Sequence, residues 1–218
     1  MSSSKRLPLA VKLAYSAFVA VLVPYYWQAY GPTNFLYFCD VALLMTLVAV
    51  WYESSLWASM PAVGILIPQV LWQVDFLGMA VGLPVTGMTG YMFDPKLTLV
   101  TRGLSFFHFW LPLLLLWLIW RLGYDRRAFK AWTLLAWGLV LICFFVMPAP
   151  PAPADNPNLP VNINYVHGFS DQKPQAWLPP LVYLSTLLVV LPTCIYWPTH
   201  WLLRRAFPPT SESTPPSA

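Results

Sequence analysis

The residues with chemistry to offer are few, and most of them stand inside apolar stretches. Asp40, Asp75, Arg102 and His108 each interrupt a hydrophobic run, and Ser105 sits between the last two. On a helix, Arg102 and Ser105 are i, i+3 neighbours, as are Ser105 and His108, so the three form one polar strip. A carboxylate that orients a histidine, which in turn takes a proton from a hydroxyl, is an arrangement for acyl transfer. In that reading His108 is the general base, Asp40 or Asp75 orients it, and Ser105 or Tyr37 supplies the hydroxyl. The same residues read without chemistry as a polar cluster that holds a ligand through Arg102. Asp40, Asp75 and Arg102 read equally as an ion-pair network that tethers helices. Tyr91 and Asp94, in the segment 86–95, and Asn162, Asn164 and His167, in the segment 162–169, are further candidates for ligand contact. His200 reads as an interfacial anchor, and Lys12 as a side chain that snorkels to the membrane surface.

Other chemistries find no support in the residues. The three histidines lie on separate elements and make no spaced metal motif, so neither a metal nor a cofactor is expected. HExxH, P-loop, GxSxG and dinucleotide fingerprints are absent from the sequence. Cys39, Cys143 and Cys194 all fall in apolar runs and read as small buried hydrophobes, not as a disulfide framework.

These residues must be positioned by apolar elements. Of the 218 residues 58% are apolar and only 9% charged, far below the roughly one quarter charged of a soluble domain. A charged, solvated surface cannot be made from this inventory, and bulk disorder is excluded by the hydrophobicity. Six apolar stretches are long enough to approach a bilayer's thickness: 8–27, 34–52, 57–80, 98–120, 128–147 and 177–203. The fold class expected is an all-α polytopic membrane helix bundle, one domain over 1–207. Residues 208–218 read as a disordered Pro/Ser/Thr tail. The first stretch follows Lys5 and Arg6 but ends in Pro24-Tyr25-Tyr26-Trp27, with no small-residue cleavage site, and reads as an uncleaved helix.

In a six-pass arrangement nine bases fall on one side: Lys5, Arg6, Lys12, Arg121, Arg126, Arg127, Lys130, Arg204 and Arg205. Lys96, Arg102 and Lys173 fall on the other. The richer side is expected to face the cytoplasm, with both termini. The net charge of +4 therefore serves orientation, and nucleic acid is not an expected partner. Trp and Tyr gather at the ends of the stretches as interfacial anchors: Tyr25, Tyr26, Trp27, Tyr30, Trp51, Tyr52, Trp177, Trp197 and Trp201. The proline-rich segment 148–160 reads as an extended external loop. The segments 86–95 and 162–169 mix turn residues with Tyr, Met and Phe, which solvated linkers do not need, and are expected to pack over the outer mouth of the bundle.

Several segments carry a resemblance. Asn34-Phe-Leu-Tyr-Phe-Cys-Asp40, Thr89-Gly-Tyr-Met-Phe-Asp-Pro95, Arg102-Gly-Leu-Ser-Phe-Phe-His108 with Leu111-Pro112, Leu122-Gly-Tyr-Asp-Arg-Arg-Ala128, Asn162-Ile-Asn-Tyr165 and Tyr196-Trp-Pro-Thr-His200 resemble a bacterial family described only as membrane-associated proteins. The resemblance spans about residues 34–201 and implies a bacterial inner-membrane location without an activity. A more distant similarity is to the androgen-induced-gene class of multipass membrane hydrolases. It rests on Phe35–Asp40 and on Asp94-Pro95-Lys96 followed by His108 and Leu-Pro. That class uses an intramembrane Thr and His on lipid esters. Tyr37 stands here where the class has its Thr, and His108 is the residue that carries over.

Two functional expectations follow. One is an outward-facing polar cavity that binds a lipid or small amphiphile without chemistry. The other is an intramembrane lipid-ester hydrolase built on His108. An accessory subunit of a membrane complex is a third reading, for which the sequence names no protein partner.

Overall fold

The computed structural model describes residues 7–157 and 159–208. The N-terminal bases Lys5 and Arg6, and the tail from 209 onward, lie outside the described residues. Every regular element among the described residues is helical: α1 Leu9–Tyr30, α2 Phe38–Tyr52, α3 Ser55–Ala80, α4 Leu99–Ser105, α5 Phe107–Leu122, α6 Ala128–Phe145, α7 Pro180–Val190 and α8 Trp197–Ala206. Short 3₁₀ turns occupy Pro32–Leu36, Gly90–Phe93 and Ile163–Tyr165. Five units are long and apolar enough to cross a membrane: α1, α3, Leu99–Leu122, α6 and Pro180–Ala206. The protein is thus a polytopic helical bundle.

The second expected span is shorter than its apolar stretch. Its α-helix begins at Phe38, so α2 has 15 residues, about 22 Å of rise against the ~30 Å of a hydrocarbon core. Asp40 consequently lies in the first turn of α2 and not two turns in. The reason is local: Gly31 with φ 80° and Pro32 break the chain after α1, and the 3₁₀ turn that follows ends in extended Tyr37. The two ends of α2 nevertheless meet opposite ends of the bundle. Its start accepts partners from the 162–169 segment, and its end carries Glu53, paired with Lys12 of α1 at 2.6 Å.

The fourth and sixth spans are interrupted. Leu99–Leu122 breaks at Phe106, where α4 gives way to α5. Pro180–Ala206 passes through a π-helical turn, Leu191–Tyr196, whose Pro192 has no N–H to continue the regular ladder.

α3 is the central helix and packs against α2, α5, α6 and α8. Its buried positions include Ala58, Ser59, Ala62 and Gly64, small residues that let neighbouring helices approach. The closest approach is at Gly64, where the indole of fully buried Trp132 of α6 occupies the space a side chain would fill. The main core then runs through Leu43, Ala49, Ile65, Leu111, Leu115, Leu118 and Ala136, all essentially without exposure. Outward surfaces remain apolar: Trp27, Trp51, Tyr52, Trp177, Trp197 and Trp201 are exposed, as anchors should be. Tyr26 departs from that pattern and is buried. The three cysteines are free. Cys143 is buried and Cys39 half-buried as small hydrophobes, whereas Cys194 faces out from the π turn.

A Cβ at Gly64 collides with a ring that cannot move without opening the α3–α6 contact. Gly64→Ala is therefore expected to lower stability by about 1–3 kcal/mol. Gly138→Ala, with no atom within 4 Å of the new methyl, should leave it unchanged or slightly raised. Thermal unfolding of both variants in one detergent checks the pair.

Candidate functional site

The site is built at the end of the bundle opposite Lys12 and Glu53, and Pro112 and two asparagines shape it. Pro112 cannot donate to the carbonyl four residues back, so the carbonyl of His108 is left without its helical partner. Gln73 of α3 fills the vacancy, donating from Nε2 at 2.9 Å. One turn earlier the helix tightens. The Phe109 N–H turns to the Phe106 carbonyl at 3.0 Å, and His108 Nδ1 lies 2.8 Å from the Ser105 carbonyl. Nδ1 is therefore the donor, and the neutral ring carries its lone pair on Nε2. The imidazole is held between Trp72, stacked at 4.6 Å, and Phe107 at 4.1 Å.

Ser105 is near His108 but serves another partner. Its hydroxyl meets that of Tyr26 at 3.0 Å, both buried. The Tyr91 side chain lies near the same serine and Trp72. Asp40 is buried to 3% exposure. Its Oδ2 accepts from Asn34 Nδ2 at 3.3 Å and from the Cys39 thiol at 4.0 Å, and Oδ1 has no partner among the described residues. The hydroxyls of Tyr26, Tyr37 and Tyr91 all lie within electrostatic reach of this carboxyl. Asp40, Asn34, Tyr26, Ser105 and Tyr91 thus form one polar cluster between α1, α2, α4 and the 90–93 turn.

Asp75 is used differently. Fully buried near the end of α3, it gathers the chain that leaves that helix. Oδ1 accepts the N–H groups of Val85, Thr86 and Gly87 at 3.1, 2.5 and 2.8 Å. Oδ2 accepts the Thr89 N–H at 2.9 Å and its hydroxyl at 2.6 Å. A carboxylate ringed by amides needs no cation. The reversal is possible because Gly78 has no Cβ; one would lie 2.5 Å from the Leu83 carbonyl oxygen. The 86–95 segment then lays Met92 inside and stacks Phe93 on Phe76 at 5.3 Å.

Arg102 donates to the backbone carbonyl of Asp94, while its Nε is buried without a partner. The Asp94 carboxylate accepts the Lys96 N–H at 2.9 Å and closes the local turn. Asp40, Asp75, Arg102 and His108 therefore share one end of the bundle but form no ion pair with one another among the described residues. Among the described residues no hydroxyl hydrogen-bonds His108 either. Tyr37 lies toward Asp171 and Tyr165, packed with Ile163 and Val166. Among the described residues no cluster of three His, Cys, Asp or Glu is placed to hold a metal.

The 162–169 segment is a brace. Asn164 caps α2 from 126 residues away: its Oδ1 accepts the Phe38 N–H at 2.9 Å, and its Nδ2 donates to the Leu36 carbonyl at 2.9 Å. A borrowed cap of this kind satisfies a helix start that has no side chain of its own to do so. Asn162 organises the segment itself, accepting from the His167 N–H at 2.7 Å and donating to the Gly168 carbonyl at 2.8 Å. Both asparagines and Tyr165 are held at positive φ (52°, 58° and 59°), strain that these bonds and the surrounding core sustain. His167 stacks on Phe144 at 5.1 Å and leaves Nε2 buried without a partner. Burial lowers its pKa from the ordinary histidine value. The residues that sequence reasoning missed are Tyr26, Asn34 and Thr89, while Gln73, with Gln69 an i, i+4 polar pair that marks α3 as a helix surrounded by protein, has its partner shown only by the structure. Pro112, four residues beyond His108, was the readable sign of Gln73's role.

Comparisons with protein-family descriptions, curated proteins and solved structures return no match for this chain.

Replacing one acceptor oxygen by an amide, Asp75→Asn, opposes a donor to donors and leaves buried N–H groups unmet, at about 1–3 kcal/mol each. Hydrogen exchange should show the Thr86, Gly87 and Thr89 amides losing protection while helix content stays constant. The His167 brace carries a pH dependence. The unfolded chain binds a proton near pH 6.5, whereas the folded loop resists it. Its stabilisation is thus complete above that pH and declines as pH falls through it. Limited proteolysis of the 162–175 segment should accelerate below about pH 6.5, and His167→Gln should flatten the profile.

Proposed function

We propose that this chain is a multipass protein of the bacterial cytoplasmic membrane that binds the polar head of a lipid or small amphiphile at the Asp40 cluster. In this reading the base-rich end faces the cytoplasm, in keeping with the distribution of Lys and Arg about the spans. The observation that carries the proposal is the Asp40 carboxyl, buried with Oδ1 unpartnered. A polar atom at membrane depth needs a partner, and an ionised one needs it more. A ligand hydroxyl or ammonium supplies that partner whichever protonation state the carboxyl holds. Tyr26, Tyr37 and Tyr91 lie within electrostatic reach of the carboxyl and make its surroundings more polar than the rest of the core. The unpartnered atoms Thr33 Oγ1, Arg102 Nε and His167 Nε2 belong to the same end of the bundle.

Binding is favoured over ester hydrolysis by the position of the hydroxyls. His108 has the tautomer of a base, but the Ser105 hydroxyl is engaged by Tyr26 and Tyr37 lies against the 162–171 segment.

Native mass spectrometry of the detergent-purified protein should find a co-purifying amphiphile that Asp40→Ala and Arg102→Ala each release. Helix content and thermal unfolding of the variants confirm that they remain folded. A wild-type protein that is folded and free of any adduct would overturn the proposal.

A further inference from the structure

The opposite end of the bundle holds a second arrangement of polar groups, independent of the Asp40 cluster. The turn 123–127 joins α5 to α6 and brings the Tyr124 hydroxyl to 2.5 Å from His200 Nδ1 of α8. The imidazole rests on Tyr124 and Phe129, at 5.6 and 5.3 Å between ring centres. Arg126 and Arg204, from different elements, both lie within electrostatic reach of that ring. Neither has an acidic partner among the described residues.

The acid of the turn is already occupied. Asp125 holds Arg127 through Nε at 3.1 and 3.2 Å and through Nη2 at 2.7 Å, and accepts the Arg127 N–H at 2.9 Å. That pair keeps the Asp125 carboxyl below its ordinary pKa. The unmatched charge of the turn is therefore Arg126, and Arg204 of α8 lies within electrostatic reach of the same imidazole. Beside it opens a groove of about 430 Å³, lined by Ser55, Leu122, Gly123, Tyr124, Asp125 and Arg126. Exposed Trp120, Trp201 and Leu202 flank this end, and the Arg205 guanidinium lies 3.9 Å over the Trp201 ring. Tryptophans mark the level of lipid head groups, so the groove opens where phosphates are found.

We propose that this groove seats the phosphate of an anionic phospholipid. Arg126 and Arg204 supply the charge, since guanidinium forks match phosphate oxygens. Ser55 lines the groove, and the Tyr124–His200 pair fixes the turn against α8. Leu122 and the tryptophans meet the lipid's acyl and glycerol portions, which a free phosphate does not have.

The test uses the full chain in detergent with phosphatidylglycerol, phosphatidylcholine or inorganic phosphate as probes, read by native mass spectrometry and thermal shift. Phosphatidylglycerol should be retained over phosphatidylcholine, with retention falling as salt rises. Arg126→Gln and Arg204→Gln should each lower retention about five-fold, and Lys173→Gln, at the other end, should match wild type. Both arginines are exposed, so the variants should keep wild-type helix content. Equal retention of the two lipids, or undiminished phosphatidylglycerol retention in the double variant, would overturn the proposal. Displacement of the lipid by inorganic phosphate, with an equal thermal shift from phosphate alone, would assign the groove to a soluble anion and overturn it too.

Discussion

Lipid offers the backbone no hydrogen bonds, so each peptide group released from a helix must find its partner within the protein. The joint at His108 follows from that demand. Pro112 frees one carbonyl, and the tightened turn at Phe106–Phe109 turns another toward a side chain. Gln73 takes the first and the His108 ring takes the second. Gln73 thereby ties α3 to α5 by a bond that no lipid can replace, and the His108 ring ties the start of α5 back to the end of α4. Thr46, Thr133 and Thr199 obey the rule more simply, each returning its hydroxyl to the carbonyl four residues back.

The connections at the Asp40 end follow the same logic at larger scale. A chain leaving α3 exposes several amides in succession, and Asp75 collects four of them on one buried carboxylate. A chain entering α2 exposes amides at a helix start that has Tyr37 in the capping position, and Asn164 reaches across to supply the cap. Both segments therefore act as covers fixed by polar atoms from the far side of the gap. Their Met92, Ile163 and Val166 side chains are buried as a result, which is why these segments carry residues that a solvated linker would not.

The helical architecture was legible because it depends on composition and run length, which sequence displays directly. The polar end was legible as a set of depths, since Asp40, Asp75, Arg102 and His108 stand out in an apolar background. Their partners were not legible. Asp75 looked like a charge in search of a cation because sequence shows the carboxylate but not the amides a Gly78 reversal delivers to it. Arg102 looked like that cation, yet a backbone carbonyl of Asp94 meets it first. Tyr26 read as an interfacial anchor with its neighbours Tyr25 and Trp27, and only the helix rotation turns it inward to Ser105. The length of α2 was overread because the apolar stretch continues through a 3₁₀ turn that Gly31 and Pro32 impose.

The two ends of the molecule treat polar groups in opposite ways. At the Lys12 end, acids are matched: Glu53 takes Lys12 and Asp125 takes Arg127, and Arg126, Lys130, Arg204 and Arg205 are exposed. At the Asp40 end, the unmatched atoms are buried: a carboxylate oxygen, a guanidinium Nε, a threonine hydroxyl and an imidazole nitrogen. An exposed surplus of charge is satisfied by water and by lipid head groups and exacts little from the fold. A buried unmatched atom costs about 1–3 kcal/mol with no solvent to offset it. A bundle that satisfies Asp75 with five hydrogen bonds shows how its backbone can serve a buried carboxyl. Asp40, with one amide donor on Oδ2 and Oδ1 unpartnered among the described residues, is served far less completely by the same fold.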